Sequence, residues 1–420
     1  MNLAVISDLH IGLAARAKDL CPEPPAIKKA DRKKYQEKNE DSYRQQFFRF
    51  VEMNEITADY LILPGDITDQ AKPQEVEIAS EFILQSADAL GVAHDKILFT
   101  PGNHDVDWSV FDPYDNTGVR WGQRYEPIGH ANFHFRRMVD QGYGNIFSSP
   151  HFIIWEFEDL FAVGYNSASH DSPVPKNQAH HGLADPQHLV ELQQYLRDNI
   201  PPDNRKVRLF LVHHHMIDFS APLPNIPDFS LMTNAEALLN LLHEFDFDLV
   251  IHGHKHHPRF DTHSTHIYPH LPILCSGSFS VEIDTQWAGT VDNQFHLVTV
   301  NGREGNGNRI SGRITSWTNN HCSGWIPSEK NTSGIHHVIP FGSYVMPDEL
   351  DARLRPFVEE RLNRQGFILW KQVARKFPEL EHLPIDSAIA AFDRIGQRLG
   401  LQRMYENLKD LILYREPDHE

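Results

Sequence analysis

The 420-residue sequence is poor in cysteine, in net positive charge and in long apolar runs, and each shortage removes a class of explanation. Its three cysteines, Cys21, Cys275 and Cys322, are odd in number and widely spaced. Neither a disulfide framework nor a C-x-x-C metal knuckle can be built from them, and they read as idle thiols of a reducing compartment. No stretch approaches the ~18 apolar residues of a membrane span. The opening MNLAVISDLH has no basic leader region, so a cytoplasmic protein without a membrane partner is the expectation. Lysine and arginine number 39 against 57 aspartates and glutamates, a formal charge of −18. That charge opposes condensation onto nucleic acid or an anionic bilayer and fits a small diffusible substrate better.

Histidine is in excess, at 27 residues, which asks for metal or proton chemistry. Apolar runs at 3–6, 60–63, 96–99, 152–157, 160–163, 207–212, 248–251 and 273–275 read as buried strands. Helical periodicity lies between them at 42–55, 74–90 and 233–245, and Asp185-Pro186 opens a further helix with an N-cap and a proline at N1. Strands follow at 295–300 and 309–317, joined by the turn-forming 301–308. The pattern predicts an α/β (α+β) sandwich of mixed sheets with helices on its outer faces, over residues 1–340. An insertion at 12–45 and a long loop at 106–145 interrupt it. Beyond lies a helical appendage, 341–420, with helical periodicity at 348–365, 369–377, 386–399 and 402–413.

Five short motifs sit at the carboxyl ends of predicted strands, where ligands collect in open α/β sheets. They are Asp8-Leu9-His10, Gly65-Asp66-Ile67-Thr68-Asp69, Gly102-Asn103-His104-Asp105, His213-His214-His215 and Gly253-His254-Lys255-His256. Each alone is weak. Together they place oxygen and nitrogen donors at successive strand ends, in the order a two-cation site needs. In the D-x-H and H-x-H units a strand-like period of two would direct both side chains to one face. Nearby glycines admit a close backbone approach. A donor set without thiolate favours Mn²⁺, Fe or Zn²⁺, with Mn²⁺ first.

These motifs resemble those of the calcineurin-like metallophosphoesterase superfamily, D-x-H, G-D-x-x-D, G-N-H-D/E, a later histidine and G-H-x-H. The resemblance spans roughly residues 1–300. Within the superfamily the triplet His213-His214-His215, and His181-Gly182-Leu183 with the segment after it, look most like class III cyclic-nucleotide phosphodiesterases. The resemblance implies a four-layer αββα sandwich and two divalent metal ions. Asp8, His10 and His256 would hold the first and Asn103, His213 and His254 the second, with Asp66 bridging them. His214 is the alternative to His213, one residue on. The implied activity is phosphodiester hydrolysis, with a metal-bridging hydroxide attacking phosphorus. His104 would stabilise the phosphoryl oxygens or protonate the leaving group, and Asp69 would accept from its ring and orient it.

Other features admit two readings. Arg16, Lys18, Lys28, Lys29, Arg32, Lys33, Lys34 and Lys38 make the 12–45 insertion either a basic lid for phosphate ligands or a solvated segment balanced by its own acids. Aromatic residues from Trp108 to Phe135, Tyr125 among them, either stack on a nucleobase or bury one another. His170 and His257 are read as pocket members. The leading function is a dinuclear metal-dependent phosphodiesterase acting on a nucleotide or another small phosphate ester. A superfamily-type exonuclease and a phosphomonoesterase are the enzymatic alternatives, the former opposed by the charge. A non-catalytic interaction scaffold is the alternative of another class, opposed by the retention of His104 and every ligand. The residues name no oligomeric state.

Overall fold

The computed structural model describes residues 1–21, 42–110, 124–125, 146–148, 151–171, 181–200, 205–218, 231–265, 270–281, 291–303, 310–320, 323–345, 347–404 and 411–415. Most of the 12–45 insertion and of the 106–145 loop lies outside them. The chain divides into two compact units, Met1–Leu297 with Ser316–Ile335, and Val298–Thr315 with His336–Glu420.

The first unit draws on two mixed sheets, two of whose strands, Gln294–Asn301 and Ser311–Asn320, run on into the second unit. In one, the strands run in the order Gly324–Pro327, Ser311–Asn320, Gln294–Asn301, Asn2–Val5, Tyr60–Leu63 and Ile97–Phe99, the last three mutually parallel. The other runs Ile146–Ser148, Phe152–Glu156, Leu160–Tyr165, Val207–Val212, Leu249–His252, Leu271–Cys275 and Arg259–His263. Its centre is parallel, and antiparallel strands close both edges. Parallel strands must be covered on both faces, which is why Tyr60–Leu63 and Val207–Val212 are buried at every position and read as unbroken apolar runs.

Helices supply the outer cover. Tyr43–Met53 and Pro73–Leu90 bury Phe47, Val51, Phe82 and Ile83 with Leu61, Leu63 and Ile97 of the first sheet. Pro186–Asn199 and Ala235–Glu244 bury Leu192, Leu196, Leu238 and Leu242 with Phe210, Val212 and Val250 of the second. Their starts are set locally. Ser42 and Gln45 form a reciprocal capping box, and the Asp185 carboxylate accepts from the Gln187 and His188 amides, with Pro186 at N1. The alternate strand residues Tyr60, Ile62, Leu98, Leu209 and Leu211 are also fully buried, on the inner faces. Tyr60 Oη donates to Asp159 Oδ1 at 2.6 Å and Thr100 Oγ1 to the Tyr165 carbonyl at 2.9 Å, which ties sheet to sheet. The result is the expected four layers, helix, sheet, sheet, helix.

In the second unit, Leu350, Leu354, Val358 and Leu362, four residues apart on the helix Pro347–Gln365, share a core with Ala388, Ala391, Phe392 and Ile395 of the helix Ile385–Leu399. Val338–Phe341 pairs antiparallel with the stretch from Gly312 to Thr315. The expectation of a purely helical tail is corrected. Phe367–Leu369, Ile412–Tyr414 and Gln402–Met404 form a three-stranded sheet in that order. The predicted 402–413 helix therefore has strands at both ends, while 405–410 lie outside the described residues. Two glycines in the left-handed region, Gly366 at φ 74° and Gly400 at φ 64°, end the preceding helices and turn the chain into the sheet. Ile412–Tyr414 then buries only its central Leu413, a period of two that the apolar content alone does not distinguish from a helix face.

Phe47 lies fully buried among Phe82, Phe279, Phe295 and Trp325, with ring centroids 4.8 to 6.4 Å away. Phe47→Ala is expected to destabilise this unit by about 3–5 kcal/mol. The exposed Val190→Ala should change stability by less than about 0.5 kcal/mol. Urea denaturation followed by tryptophan fluorescence, which Trp317 and Trp325 beside this cluster report, checks both.

Candidate metal centre

The parallel order brings the carboxyl ends of Asn2–Val5, Tyr60–Leu63 and Ile97–Phe99 to one edge of the first sheet, and those of Val207–Val212 and Leu249–His252 to one edge of the second. The five motifs follow those strands. Asp8, His10, Asp66, Asn103 and His213 are all buried at 3% exposure or less. His254 and His256 are partly open.

His213 makes the closest set of approaches. Its Nε2 lies 3.1 Å from Asp66 Oδ2, 3.1 Å from Asn103 Oδ1 and 3.1 Å from His254 Nδ1. The other ring nitrogen, Nδ1, donates to the Pro64 carbonyl at 2.9 Å, which fixes the tautomer and turns the Nε2 lone pair inward. Donor atoms about 3 Å apart have the spacing that ligands adopt around one cation with bonds of about 2.1 Å. A second group comprises Asp8, His10 and His256, whose ligand atoms lie within 4.8 Å of one another. His256 Nε2 is 3.7 Å from Asp8 Oδ1, and His10 Nε2 is 3.6 Å from Asp66 Oδ2. Asp66 thus faces both groups.

The residues fit cations on an observation independent of the motifs. Both ring nitrogens of His10 are buried without a hydrogen-bond partner among the described residues, an arrangement that costs free energy unless something binds there. The donor set is carboxylate, imidazole and amide oxygen, suited to Mn²⁺, Fe or Zn²⁺.

His214 sits in a group with His213 and His254, its ring centroid 4.4 Å from that of His254. Its Nδ1 is 2.8 Å from Ser167 Oγ. Adjacent residues would face opposite ways in a strand, but the strand ends at Val212, so alternation does not separate these two. The same holds for the D-x-H and H-x-H units, where the expected strand geometry is corrected. Asp8, His10, Asp66, His254 and His256 have φ of 50°, 45°, 52°, 76° and 56°, left-handed conformations that side-chain-bearing residues seldom adopt. Convergence comes from these turns rather than from a pleat.

Glycines make the turns fit. A Cβ on Gly102 would lie 2.2 Å from Asp66 Oδ1, and one on Gly253 would lie 2.4 Å from Asp8 Oδ2. Asp8 is held by Ser7 Oγ at 2.5 Å and by the His254 amide at 3.0 Å. Asp66 Oδ1 accepts the His104 amide at 2.8 Å. Two ties escape sequence reasoning. Asp105 accepts from the Gly102 amide at 2.9 Å and from the Thr68 amide and hydroxyl at 3.0 Å, stapling one motif to the next. Burial, with Asp66 nearby, pushes the Asp105 carboxyl up to about 7. Ser167 on His214 had no sequence signal at all.

Burial and then the neighbouring imidazoles or imidazolium charges hold His254 well below the ordinary histidine range; burial and then His104 do the same for His10. Burial also raises the Asp8 carboxyl. Burial works the other way on Asp66, yet His213 and His104 keep it well below the usual carboxylate range. His213, against its own burial, is pushed up to about 9 by Asp66. Asp66 is thereby held ionised among the imidazoles that face it.

His104 stands at the rim, its ring 4.6 Å from that of His10. The expected acceptor for it is Asp69. In the structure its Nδ1 is 2.8 Å from the Asp69 main-chain carbonyl, with the carboxylate Oδ1 at 3.9 Å. The backbone, already fixed by the Asp69 amide bonding to the Ile11 carbonyl, sets the ring. His104, Asn103 and Asp69 open onto a cleft of about 480 Å³ that Lys72, Pro73, Val106, Asp107 and Trp108 also line.

Of the other readings, Arg16 bonds the Asn319 carbonyl at 3.1 Å and lies over the Tyr43 ring, a packing role. Lys28, Lys29, Arg32, Lys33, Lys34 and Lys38 lie outside the described residues. Tyr125 bonds Asn166, and His170 groups with Asp185 and His188. Among the described residues no helix is long and apolar enough to cross a membrane.

The calcineurin-like phosphoesterase model matches residues 1–258, more than half of the chain. The chain belongs to the calcineurin-like phosphoesterase family. No curated protein matches it. Among solved structures this family member is similar to a purple acid phosphatase from yellow lupin (Lupinus luteus) seeds, at 12% identity and TM-score 0.43, over 77% of this chain and 52% of that one. The chain thus spans about half the length of the lupin protein. It is also similar to GAP50, the anchor in the inner membrane complex of Plasmodium, at 13% identity and TM-score 0.38, over 75% and 84%. A Vps29 from Entamoeba histolytica follows at 12% and 0.29, over 76% and 93%.

Because Asp66 faces both donor groups, Asp66→Asn is expected to lower bound metal and abolish turnover together. Metal analysis of the purified variant checks this, and full occupancy with normal turnover would sink the bridging assignment.

Proposed function

We propose that this family member is a dinuclear metal-dependent phosphodiesterase acting on a nucleotide or another small phosphodiester. The observation that carries the reading is the convergence of Asp8, His10, Asp66, Asn103, His213, His254 and His256 on one buried point, with His104 between that point and an open cleft. Asp8, His10 and His256 would hold one cation and Asn103, His213 and His254 the other, with Asp66 facing both groups. When bound, two such cations supply Lewis-acid charge for the phosphoryl oxygens and lower the pKa of a water between them. Donor chemistry puts Mn²⁺ first, with Fe or Zn²⁺ also suited.

The chain's own residues do the rest. With Nδ1 committed to the Asp69 carbonyl, His104 presents Nε2 as the group that donates to a phosphoryl oxygen or hands a proton to the departing alkoxide. A leaving group protonated in this way need not be activated. Lys72 adds one positive charge to the cleft wall, while Trp108, Val106 and Pro73 give an apolar surface on which the second ester arm can lie. A monoester has no such arm to place. The charge of −18 adds repulsion against a dianion, though screening limits that effect to charges within ~8 Å.

His104→Ala should keep both metals while kcat falls by about 10²–10⁴-fold. Asp69→Ala retains the carbonyl and should cost much less. Loss of a metal in His104→Ala would make His104 a ligand instead. The substrate class is checked by kcat/KM for bis(p-nitrophenyl) phosphate against p-nitrophenyl phosphate at one Mn²⁺ concentration. The diester is expected to be preferred; a monoester preference replaces the reading with a phosphatase. Absence of turnover on either, with metals bound, favours the scaffold.

A further inference from the structure

Three separate chain segments bring a second set of imidazoles together away from the centre described above. His151 precedes the strand Phe152–Glu156, His170 follows the strand Leu160–Tyr165, and Asp185 and His188 open the helix Pro186–Asn199. His170 Nε2 is 3.4 Å from Asp185 Oδ2, and His188 Nε2 is 4.0 Å from Asp185 Oδ1. Ligand atoms of His170, Asp185 and His188 all lie within 4.8 Å of one another.

We propose that His170, Asp185 and His188 form a separate site for one borderline divalent cation of the Zn²⁺ type. Four observations support it. Bonds of about 2.0–2.1 Å in tetrahedral geometry place donors about 3.3 Å apart, the separation already present between His170 and Asp185. The His188 side chain is 9% exposed and its Nδ1 is buried without a hydrogen-bond partner among the described residues, so no hydrogen bond from them turns the ring away from a ligand role. The His151 ring stacks on His188 with centroids 3.3 Å apart and planes at 17°, which sets the plane of the ligand ring. Asp185 is itself anchored, since Oδ1 accepts the Gln187 amide at 2.8 Å and the His188 amide at 3.3 Å, leaving Oδ2 for the cation. His170 is the open side, 47% exposed, through which an ion and its water enter.

Zn²⁺ bound at equilibrium by wild-type holoenzyme is compared with that bound by His170→Ala and by Asp185→Asn. His170→Ala removes a half-exposed ring, and Asp185→Asn keeps the oxygen that caps the helix. Each variant is expected to bind one equivalent less than wild type and to retain wild-type turnover. The difference of one is independent of how many cations the main centre holds, so it does not stand or fall with the proposed function. Equal stoichiometry in wild type and both variants overturns the site.

Discussion

A carboxylate removed from water is costly unless it is fully engaged, and Asp66, at 1% exposure, is the group around which this requirement organises the first unit. Its Oδ1 takes the His104 amide, while Oδ2 faces His213 and, further off, His10. Those three histidines come from three strand ends in two sheets. Engaging one carboxylate therefore requires both sheets to deliver their carboxyl ends to the same point. The parallel centre of each sheet and the helical cover that parallel strands demand both serve that delivery.

Delivery alone does not aim the side chains. Five candidate ligands sit in the left-handed region, where a side-chain-bearing residue is disfavoured by about 1 kcal/mol or more. Strain of this kind persists only where surrounding contacts over-determine it. Here the over-determination is visible: the Asp8 and His10 amides bond the Gly65 and Asp66 carbonyls, and Gly253 bonds the His213 carbonyl. Glycines at 102 and 253 let the neighbouring backbones approach to distances a Cβ would block. Rigid strands bear the cost, and the short turns beyond them spend it on direction.

This division explains what the sequence disclosed. Strands such as Tyr60–Leu63 and Val207–Val212 are legible because burial on both faces leaves only apolar residues, and the donors stand out directly after them. The helix start at Asp185 is legible because capping is local chemistry. Direction was not legible. A period of two accounts for Asp8 and His10 sharing a face only if the chain is extended, and it is not. Which atom of Asp69 holds His104 was not legible for a related reason, because a main-chain carbonyl carries no side-chain signature. In the tail, Ile412–Tyr414 is too short for its alternation to outweigh apolar content.

The histidine excess finds its physical reason in the same terms. Imidazole titrates near pH 7, so it can be buried neutral and still offer a directed nitrogen lone pair where a lysine would carry a charge. Around Asp8 and Asp66 the sequence packs His10, His104, His213, His214, His254 and His256, so that two carboxylates supply negative charge and imidazoles supply most of the remaining donors. The same economy recurs where His151, His170 and His188 surround Asp185. One short stretch serves both clusters. Ser167 reaches His214, and His170, three residues on, reaches Asp185, so the turn after Leu160–Tyr165 is fixed at both ends by histidine chemistry. A loop held at two polar points has little freedom to rearrange.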